Sequence, residues 1–478
     1  MNAMPSVSTT DTSELEAQEP RRLDVDVLVI GWGKGGKAFA GKMAAAGKSV
    51  VMVEQSAAMY GGTCINIGCV PTKTLIHSAS EKRAADGDQK FFEDAVDYRD
   101  SLIGKLNDVN FHMLADQDTV TVVDGRACFV GPREVEVTPS AGGRGLAEHL
   151  RITAETVVIN TGATPVMPPI EGIDLPGVYD STSIQHAEPF LQRLAIIGGG
   201  PIGLEFASMF TNFGSEVTVI ARGETILPSE DRGVRGVVVD VLTDAGITLR
   251  TNASAEAIET RDGGLAITLS GGGSIEADAV LVAIGRRPAT EGLNLTAAGV
   301  EVDEKGAVIV DDHLRTTAEG VYAMGDVHGG PQQTYLSLDD SRVVMSALTG
   351  DGSRRVSSRV AVPTTTFLTP PLSTVGMTED AARKAGCAVK VATAMVADIK
   401  AMPRPKAVQD PRGVIKFVVD AETDLVLGAR LFHVDSQEVI NLVALAMRAG
   451  VTASELRDGI WTHPSSSEAL NEVLGQLE

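Results

Sequence analysis

Short runs of β-branched and apolar residues, each followed by a glycine-rich turn and a helix-forming segment, occur twice along the chain. The first run is residues 24–30 (DVDVLVI), and the second is residues 194–197 (LAII). Apolar runs of this length, bounded by glycine, are typical of buried strands, and the alanine-rich or apolar segments behind the turns favour helices. The repeated order of strand, turn and helix predicts an α/β fold.

The first turn has the spacing G-x-G-x-x-G, formed by Gly31, Gly33 and Gly36. These are the places where a tight turn, the approach of a pyrophosphate and close packing of helix on strand leave no room for a Cβ atom. A pyrophosphate bound there would lie on the helix N-terminus. The next predicted strand, residues 49–53, is followed by Glu54, whose carboxylate is placed to accept hydrogen bonds from an adenosine ribose.

The second turn repeats this spacing with Gly198, Gly200 and Gly203. Its following strand, residues 217–220, ends next to Arg222 rather than in an acid, and a cation there suits a ribose 2′-phosphate. We therefore expect NADPH to be preferred, with NADH possible. The alternative is that Arg222 is a surface charge beside Glu224. Two such turns, each between a strand and a helix, predict two dinucleotide sites in one chain.

Other glycines complete the predicted cofactor sites. Gly285 follows an apolar strand at residues 279–284 and closes the second nucleotide region. Gly325 and Asp326 end the strand at residues 320–324, where a carboxylate is placed to hold a polyol such as the flavin ribitol. Alone, this Gly-Asp pair would indicate only an ordinary turn. Further candidate cofactor-binding residues are Gly62, Thr63, Lys73 and Gly162.

Cys64 and Cys69 are close in sequence but too far apart for a disulfide in regular helix. Helical residues five apart have Cα atoms roughly 8.5 Å apart, whereas a disulfide needs about 4.4–6.8 Å. A bridge therefore requires irregular backbone, which Asn66 and Gly68 permit. Pro71 suits the first turn of a helix that begins near Cys69.

That helix would direct its positive end at Cys69, and Lys73 would add a charge, so that a thiolate is stabilised there. Three interpretations of the pair compete: buried structural thiols, half of a zinc site, or a catalytic dithiol. Zinc usually takes a second pair or histidines at ligand spacing, which the sequence lacks, so we expect no metal site. The flanking dinucleotide turns favour the catalytic dithiol. Cys128 and Cys387 are isolated and are expected to be buried or inert.

Length and composition narrow the class of protein. A chain of 478 residues predicts two to four domains. An apolar fraction of 43% without a long apolar run predicts no transmembrane span, and a net charge of −22 disfavours nucleic acids and anionic membranes. Residues 1–22 are polar and lack a signal-peptide pattern, which predicts a disordered tail. Only four cysteines favour a reducing cytoplasm.

The segment GGTCINIGCVPTK, the two glycine turns, the Gly325-Asp326 strand and the C-terminal HPSSSE together resemble the class I flavoprotein disulfide reductases, from about residue 23 to the end. The resemblance implies a homodimer with two Rossmann-like domains, for FAD and NAD(P), and a C-terminal α+β dimerisation domain. The implied boundaries are 23–165 for the FAD domain, 166–290 for the NAD(P) domain, 291–354 for a segment that completes the FAD domain, and 355–478 for the dimerisation domain.

The resemblance also implies roles for six side chains. They are the interchange thiol Cys64, the charge-transfer thiol Cys69, the ion pair of Lys73 and Glu205 near flavin N5, the acid/base His463 supplied across the dimer interface, and Glu468, which orients its imidazole.

Within the family, the sequence resembles the reactive-chlorine-resistance flavoproteins, described as hypothiocyanous acid or copper(II) reductases, in stretches such as TYLSLDDSRVV and FASMFTNFGS. We therefore expect reduction of a small disulfide or oxidant of this kind. Dihydrolipoamide dehydrogenase is the runner-up, although its members usually carry an acid where Ala221 stands. Mercuric and high-molecular-weight thioredoxin reductases are disfavoured because no cysteine pair lies near the C-terminus. A redox-sensing or metal-binding flavoprotein without turnover is a further alternative.

Overall fold

The computed structural model describes residues 20–261 and 263–478. The strands are β1 Arg21–Ile30, β2 Val50–Glu54, β3 Val120–Gly131, β4 Glu134–Pro139, β5 Leu150–Ile159, β6 Ala163–Pro165, β7 Val178–Tyr179, β8 Arg193–Ile197, β9 Glu216–Ile220, β10 Thr248–Arg250, β11 Ala255–Arg261, β12 Gly264–Leu269, β13 Ser274–Ala277, β14 Ala279–Val282, β15 Arg286–Pro288, β16 Val321–Ala323, β17 Thr364–Thr366, β18 Leu372–Gly376, β19 Val389–Met395, β20 Val414–Asp420 and β21 Val426–Phe432.

The helices are α1 Lys34–Ala45, α2 Gly62–Asn66, α3 Cys69–Glu81, α4 Asp88–Ala115, α5 Pro201–Phe213, α6 Arg232–Asp244, α7 Leu295–Ala298, α8 Thr334–Thr349, α9 Glu379–Lys384, α10 Arg404–Ala407, α11 Ser436–Ala449, α12 Ala453–Arg457 and α13 Ala469–Val473. Over the described residues, each helix is too short or too polar to cross a lipid bilayer.

The first sheet is centred on β1, which lies between β2 and β5 and runs parallel to both. Residues 27–30 of β1 are all at most 4% exposed, as expected for a central parallel strand covered on both faces. Strand β3 continues the sheet beyond β2, and β16 pairs with β5 although it comes more than 160 residues later in the chain. The segment that leads to Asp326 therefore returns to the first sheet.

The second sheet has the order β10-β9-β8-β14-β7 and is parallel at every pairing. A three-stranded antiparallel sheet, β11-β12-β13, accompanies it, with Gly271, Gly272 and Gly273 in the turn between β12 and β13. These two sheets, each with a glycine turn after a central parallel strand, are the two Rossmann-like units that the sequence predicts.

The C-terminal part is an antiparallel sheet in the order β17-β18-β21-β20-β19. Helix α11 packs on it, and Val439, Ile440 and Val443 share one hydrophobic core with Phe417 and Leu431. An antiparallel sheet with helices is the α+β arrangement expected for this part.

One predicted boundary is wrong. The tail was expected to extend to residue 22, but β1 begins at Arg21, because Arg21 and Arg22 pair with Leu150 and Arg151 of β5. The rest of the predicted tail, residues 1–19, lies outside the described residues.

Candidate active site

The first glycine turn is closed by a side chain from the neighbouring strand end. A Cβ on Gly33 would lie 2.4 Å from the Asn160 Oδ1 atom, and one on Gly36 would lie 2.6 Å from the same atom. The Gly36 N–H donates to that oxygen at 2.8 Å, and the Asn160 amide donates to the Met324 carbonyl at 2.7 Å. Gly31 has φ +96°, which only glycine adopts readily. Asn160 thus holds α1 against β5 and β16, a role that no local signal reveals.

Glu54 lies beside this turn at the end of β2. Its carboxylate accepts hydrogen bonds from the Trp32 N–H at 3.1 Å and the Ser56 N–H at 3.2 Å. Burial raises the pKa of Glu54 to about 7, although these backbone donors act in the opposite direction. The predicted ribose acceptor is therefore a buried carboxylate directly behind the turn.

Four more predicted residues lie at the same end of the first sheet as this turn. Gly62 packs against it so closely that a Cβ would lie 2.9 Å from the Gly33 Cα atom, which brings Thr63 next to the turn. Gly162 has φ +73° and open space where a Cβ would stand. Asp326 lies in a 3-10 turn after β16, where burial raises its pKa while Arg286 and His328 lower it.

These residues fit the flavin adenine dinucleotide that the resemblance implies. The N-terminus of α1 suits a pyrophosphate, and Glu54 and Asp326 would accept hydrogen bonds from ribose and ribitol hydroxyls. When bound, FAD supplies two-electron transfer from a nicotinamide to a disulfide.

The second glycine turn repeats the geometry. A Cβ on Gly203 would lie 2.1 Å from the Gly198 carbonyl oxygen, so α5 packs against the turn as closely as glycine allows. Gly200 and Gly285 have nothing within 4 Å of the place of a Cβ, which leaves the backbone open to a ligand. Arg222 is exposed just after β9 and makes no salt bridge with any described residue, Glu224 included.

The cysteine pair lies where two helices meet. Helix α2 ends at Asn66 and α3 begins at Cys69, with non-helical backbone between them at Gly68 (φ −124°, ψ −107°). The Asn66 side chain donates to the Gly62 carbonyl at 2.9 Å and fixes the end of α2. The predicted irregular backbone and the predicted helix start at Cys69 are both confirmed. Both residues are thiols in the structure.

The two thiols differ in acidity. The hydrogen bond from Cys64 lowers the pKa of Cys69 well below that of an ordinary thiol, and the Thr334 hydroxyl and the Lys73 charge act in the same direction against desolvation. The Thr334 Oγ1 atom lies 3.5 Å from the Cys69 sulfur. The hydrogen bond that Cys64 donates to Cys69, together with burial, raises the pKa of Cys64. The thiolate of the pair is therefore Cys69, and Thr334, at the start of α8, is a neighbour that the sequence did not reveal.

Lys73 and Glu205 form the predicted ion pair, with 2.6 Å between Nζ and Oε2. The other Glu205 oxygen accepts from the Phe367 N–H at 2.8 Å, and Lys73 lies over the Phe367 ring at 4.8 Å. The pair joins α3, one turn beyond Cys69, to α5. Phe367 was not predicted, because it comes from a loop of the C-terminal part.

His463 and Glu468 also meet. The His463 Nδ1 atom is 2.8 Å from Glu468 Oε1, and the second carboxylate oxygen accepts from the Ser465 N–H at 2.8 Å. The histidine side chain is 70% exposed, whereas the glutamate is 13% exposed. A fixed carboxylate thus orients an open imidazole.

No group of three metal-binding side chains occurs within residues 20–261 and 263–478.

Comparison with known proteins gives the family. The model of the pyridine nucleotide-disulphide oxidoreductases matches residues 25–340, and that of their dimerisation domain matches residues 362–474. The chain belongs to the pyridine nucleotide-disulphide oxidoreductases. The resemblance, the fold class, and the use of FAD and NAD(P)H by an oxidoreductase are confirmed.

Two curated relatives and one solved structure are similar over nearly the whole chain. The probable pyridine nucleotide-disulfide oxidoreductase RclA of Escherichia coli is 45% identical, covering 94% of this chain and 99% of its own. A dihydrolipoyl dehydrogenase of Thermus scotoductus is 36% identical over 95% of this chain and 97% of its own. The Cu(II) complex of the HOCl-induced flavoprotein disulfide reductase RclA superposes with a TM-score of 0.89 at 44% identity, covering 95% and 99%.

Proposed function

We propose that this flavoprotein disulfide reductase uses NADPH to reduce a small oxidant of the reactive-chlorine type, with Cys64 as the attacking thiol and Cys69 as the thiol that re-forms the disulfide. The observation that supports this most is the difference in acidity between the two thiols at the start of α3. An acidified Cys69 suits the thiolate beside a flavin, and the less acidic Cys64 remains for the substrate.

A substrate such as hypothiocyanous acid gives a balanced cycle. The Cys64 thiolate attacks the sulfur of HOSCN, which forms Cys64–S–SCN and releases hydroxide that takes a proton to become water. The Cys69 thiolate then attacks the Cys64 sulfur, which forms the disulfide and releases thiocyanate. NADPH, through the bound flavin, returns two electrons to the disulfide. Since the relative RclA is described as HOCl-induced and crystallised with Cu(II), both an oxidant and Cu(II) are substrates to test.

Cys64 needs a base before it attacks, because its pKa is raised. We assign this role to His463 of a second copy of the chain, oriented by Glu468. Support comes from the matched dimerisation domain and from the exposed imidazole, which has no sulfur partner in its own chain among the described contacts. The active protein is then a homodimer with two shared sites. We also propose a reducing, cytoplasmic setting, because Cys128 and Cys387 are free thiols and not part of a disulfide.

The decisive experiment measures NADPH oxidation by the purified holoenzyme with hypothiocyanous acid, Cu(II), glutathione disulfide, mycothione and lipoamide. We expect multiple turnovers with the oxidants, loss of turnover in Cys64→Ser, and retention of flavin reduction by NADPH in that variant. Cys387→Ser is the matched control and should keep full activity. Undiminished turnover by Cys64→Ser excludes this route. A lack of turnover with every oxidant and disulfide excludes the proposed reductase activity.

Dihydrolipoamide dehydrogenase is a second candidate, because a member of that class is 36% identical over nearly the full chain. It predicts that lipoamide is the best substrate and NADH the best nucleotide. Our proposal predicts instead that Arg222→Ala raises the KM for NADPH several-fold and leaves the KM for NADH unchanged. An equal effect on both nucleotides, or a wild-type preference for NADH, contradicts the assignment of Arg222.

A further inference from the structure

Lys37 is a buried cation without a carboxylate partner. It is the fourth residue of α1, its exposure is 6%, and it takes part in no salt bridge with the described residues. Its ammonium donates to the Asn110 side-chain oxygen of α4. Lysines are almost never this buried unless paired, because an unpaired charge loses its hydration. Burial, together with the charge of nearby Lys34, accordingly lowers the pKa of Lys37 to about 8.

The surroundings of Lys37 connect it to the attacking thiol. A Cβ on Gly61 would lie 3.1 Å from the Asn110 Cγ atom, so the hydrogen-bond partner of Lys37 packs on the residue that precedes α2. Cys64 is the third residue of that helix. On the other side, Gly62 packs on Gly33, which immediately precedes α1. The ammonium therefore lies in an enclosure formed by α1, α4 and the start of α2.

Each sulfur of the pair has its own cation. The Cys69 charge raises the pKa of Cys64, and the Lys37 charge lowers it. A Cys64 thiolate in turn raises the pKa of Lys37 and so favours its charged form. On the other side of the pair, the Lys73 charge lowers the pKa of Cys69 and the Glu205 charge raises it. The charge of Cys69 in turn raises the pKa values of Tyr335 and Arg286. Lys73 is already paired with Glu205, whereas Lys37 has only a neutral amide.

We propose that Lys37 is a positioning residue whose ammonium is the counter-charge for the Cys64 thiolate, stabilising it while Cys64 attacks the substrate. The role rests on the proposed function, in which Cys64 is the attacking thiol. No bond to Lys37 forms or breaks, because the proton from Cys64 goes to the external base. Lys37 makes the attacking thiolate more abundant through its charge alone.

The test is the pH dependence of alkylation of Cys64 by iodoacetamide in the flavin-loaded protein, in a Cys69→Ser background, followed by mass spectrometry of the Cys64 peptide. Near pH 7, below the pKa of Lys37, Lys37→Met should lower the alkylation rate about tenfold, which corresponds to a rise of about one unit in the pKa of Cys64 opposite a charged lysine. Lys37→Arg should restore the rate at that pH, because it keeps the charge. Lys42→Met, on the exposed side of the same helix, is the control and should leave the rate unchanged.

An unchanged alkylation rate near pH 7 in a folded Lys37→Met protein overturns the proposal. Flavin absorbance is measured in parallel, since α1 also holds the predicted pyrophosphate site. A loss of flavin with an unchanged alkylation rate overturns it too and assigns the lysine to the dinucleotide. Should Lys37→Met fail to fold, Lys37→Gln keeps the hydrogen-bonding capacity and is expected to show the same decrease in rate. Alkylation does not depend on turnover. Failure of the proposed function, which an active Cys64→Ser enzyme would reveal, is therefore distinguished from failure of the Lys37 proposal.

Discussion

The two sulfur atoms of the pair differ because different side chains reach them. Cys69 begins α3 and contacts Thr334, the first residue of α8, so two helix N-termini and one hydroxyl favour its ionised form. Cys64 lies one short helix earlier and donates to Cys69. Two thiols only five residues apart in sequence therefore have pKa values shifted in opposite directions, as the proposed division between a stable thiolate and an attacking thiol requires.

Replacing Thr334 with Val removes the hydroxyl but keeps the side-chain shape. We expect the pKa of Cys69 to rise by roughly half to one unit, because a hydrogen bond to a charged group is lost. The measurement is the pH dependence of Cys69 alkylation in a Cys64→Ser background. Thr349→Val, at the opposite end of α8, is the matched control. Equal midpoints for both variants would show that the Thr334 hydroxyl does not act on the thiolate.

Glu468→Gln tests the orienting carboxylate. Glutamine still accepts from the Ser465 N–H, but it lacks the negative charge that stabilises an imidazolium at His463. We expect kcat to fall about tenfold or more, with little change in thermal stability. The control is Glu472→Gln, whose carboxylate accepts from the Ala401 N–H. A wild-type kcat in Glu468→Gln would remove Glu468 from the proton transfer.

At the scale of elements, the sequence predicted what depends on neighbouring residues. The strands, the glycine turns and the start of α3 at Cys69 follow from local rules for glycine, proline and apolar runs. The sequence did not predict the contacts between residues that are far apart in the chain. Asn160 is 124 residues from Gly36, and Thr334 is 265 residues from Cys69. Their places depend on which strands become neighbours in the sheet, and no local pattern contains that information.

The second glycine turn allows packing and ligand access to be separated. Gly203→Ala would place a Cβ 2.1 Å from a backbone carbonyl, so α5 must move away from β8. We expect destabilisation by about 1–3 kcal/mol, measured by urea unfolding, together with weaker NADPH binding. Gly200→Ala fills open space instead and has no close neighbour in the protein. It should weaken NADPH binding with unfolding unchanged.

This pair of variants decides what each glycine is for. Equal stability of Gly203→Ala and the wild type would contradict the close packing. Unchanged NADPH affinity in Gly200→Ala would contradict a nucleotide lying on that backbone. FAD content serves as the common control, because the first turn is untouched in both variants.

At the scale of the whole molecule, buried ion pairs fasten the second parallel-sheet unit to the C-terminal sheet. Lys416 on β20 lies 2.7 Å from Asp231, which caps α6, and 2.7 Å from Glu379 at the start of α9. Arg430 on β21 lies 2.8 Å from Glu230. The position of the NAD(P) unit relative to the interface part is therefore set by charges that are largely removed from water, and these charges make the contact sensitive to pH.

Lys416→Met should destabilise the protein by about 2–3 kcal/mol at pH 7, because it leaves two carboxylates without their cation in a largely buried site. Burial opposes ionisation of Asp231, but Lys416 lowers its pKa, and the hydrogen bond from Lys416 also lowers that of Glu379. Carboxyl groups with a lowered pKa in the folded state contribute stability above the ordinary values of 3.8 and 4.5 and lose it as the pH falls through the folded-state values.

The difference in unfolding free energy between wild type and Lys416→Met should therefore be largest near neutral pH and shrink below about pH 4, where protonation removes the unpaired charges from the variant. Urea unfolding midpoints at several pH values, with FAD in fixed excess, give the measurement. Lys384→Met, on exposed α9 surface, should stay within about 0.5 kcal/mol of wild type. A difference that is constant from pH 7 to pH 3 would mean that Lys416 stabilises the contact by packing, with no contribution from its charge.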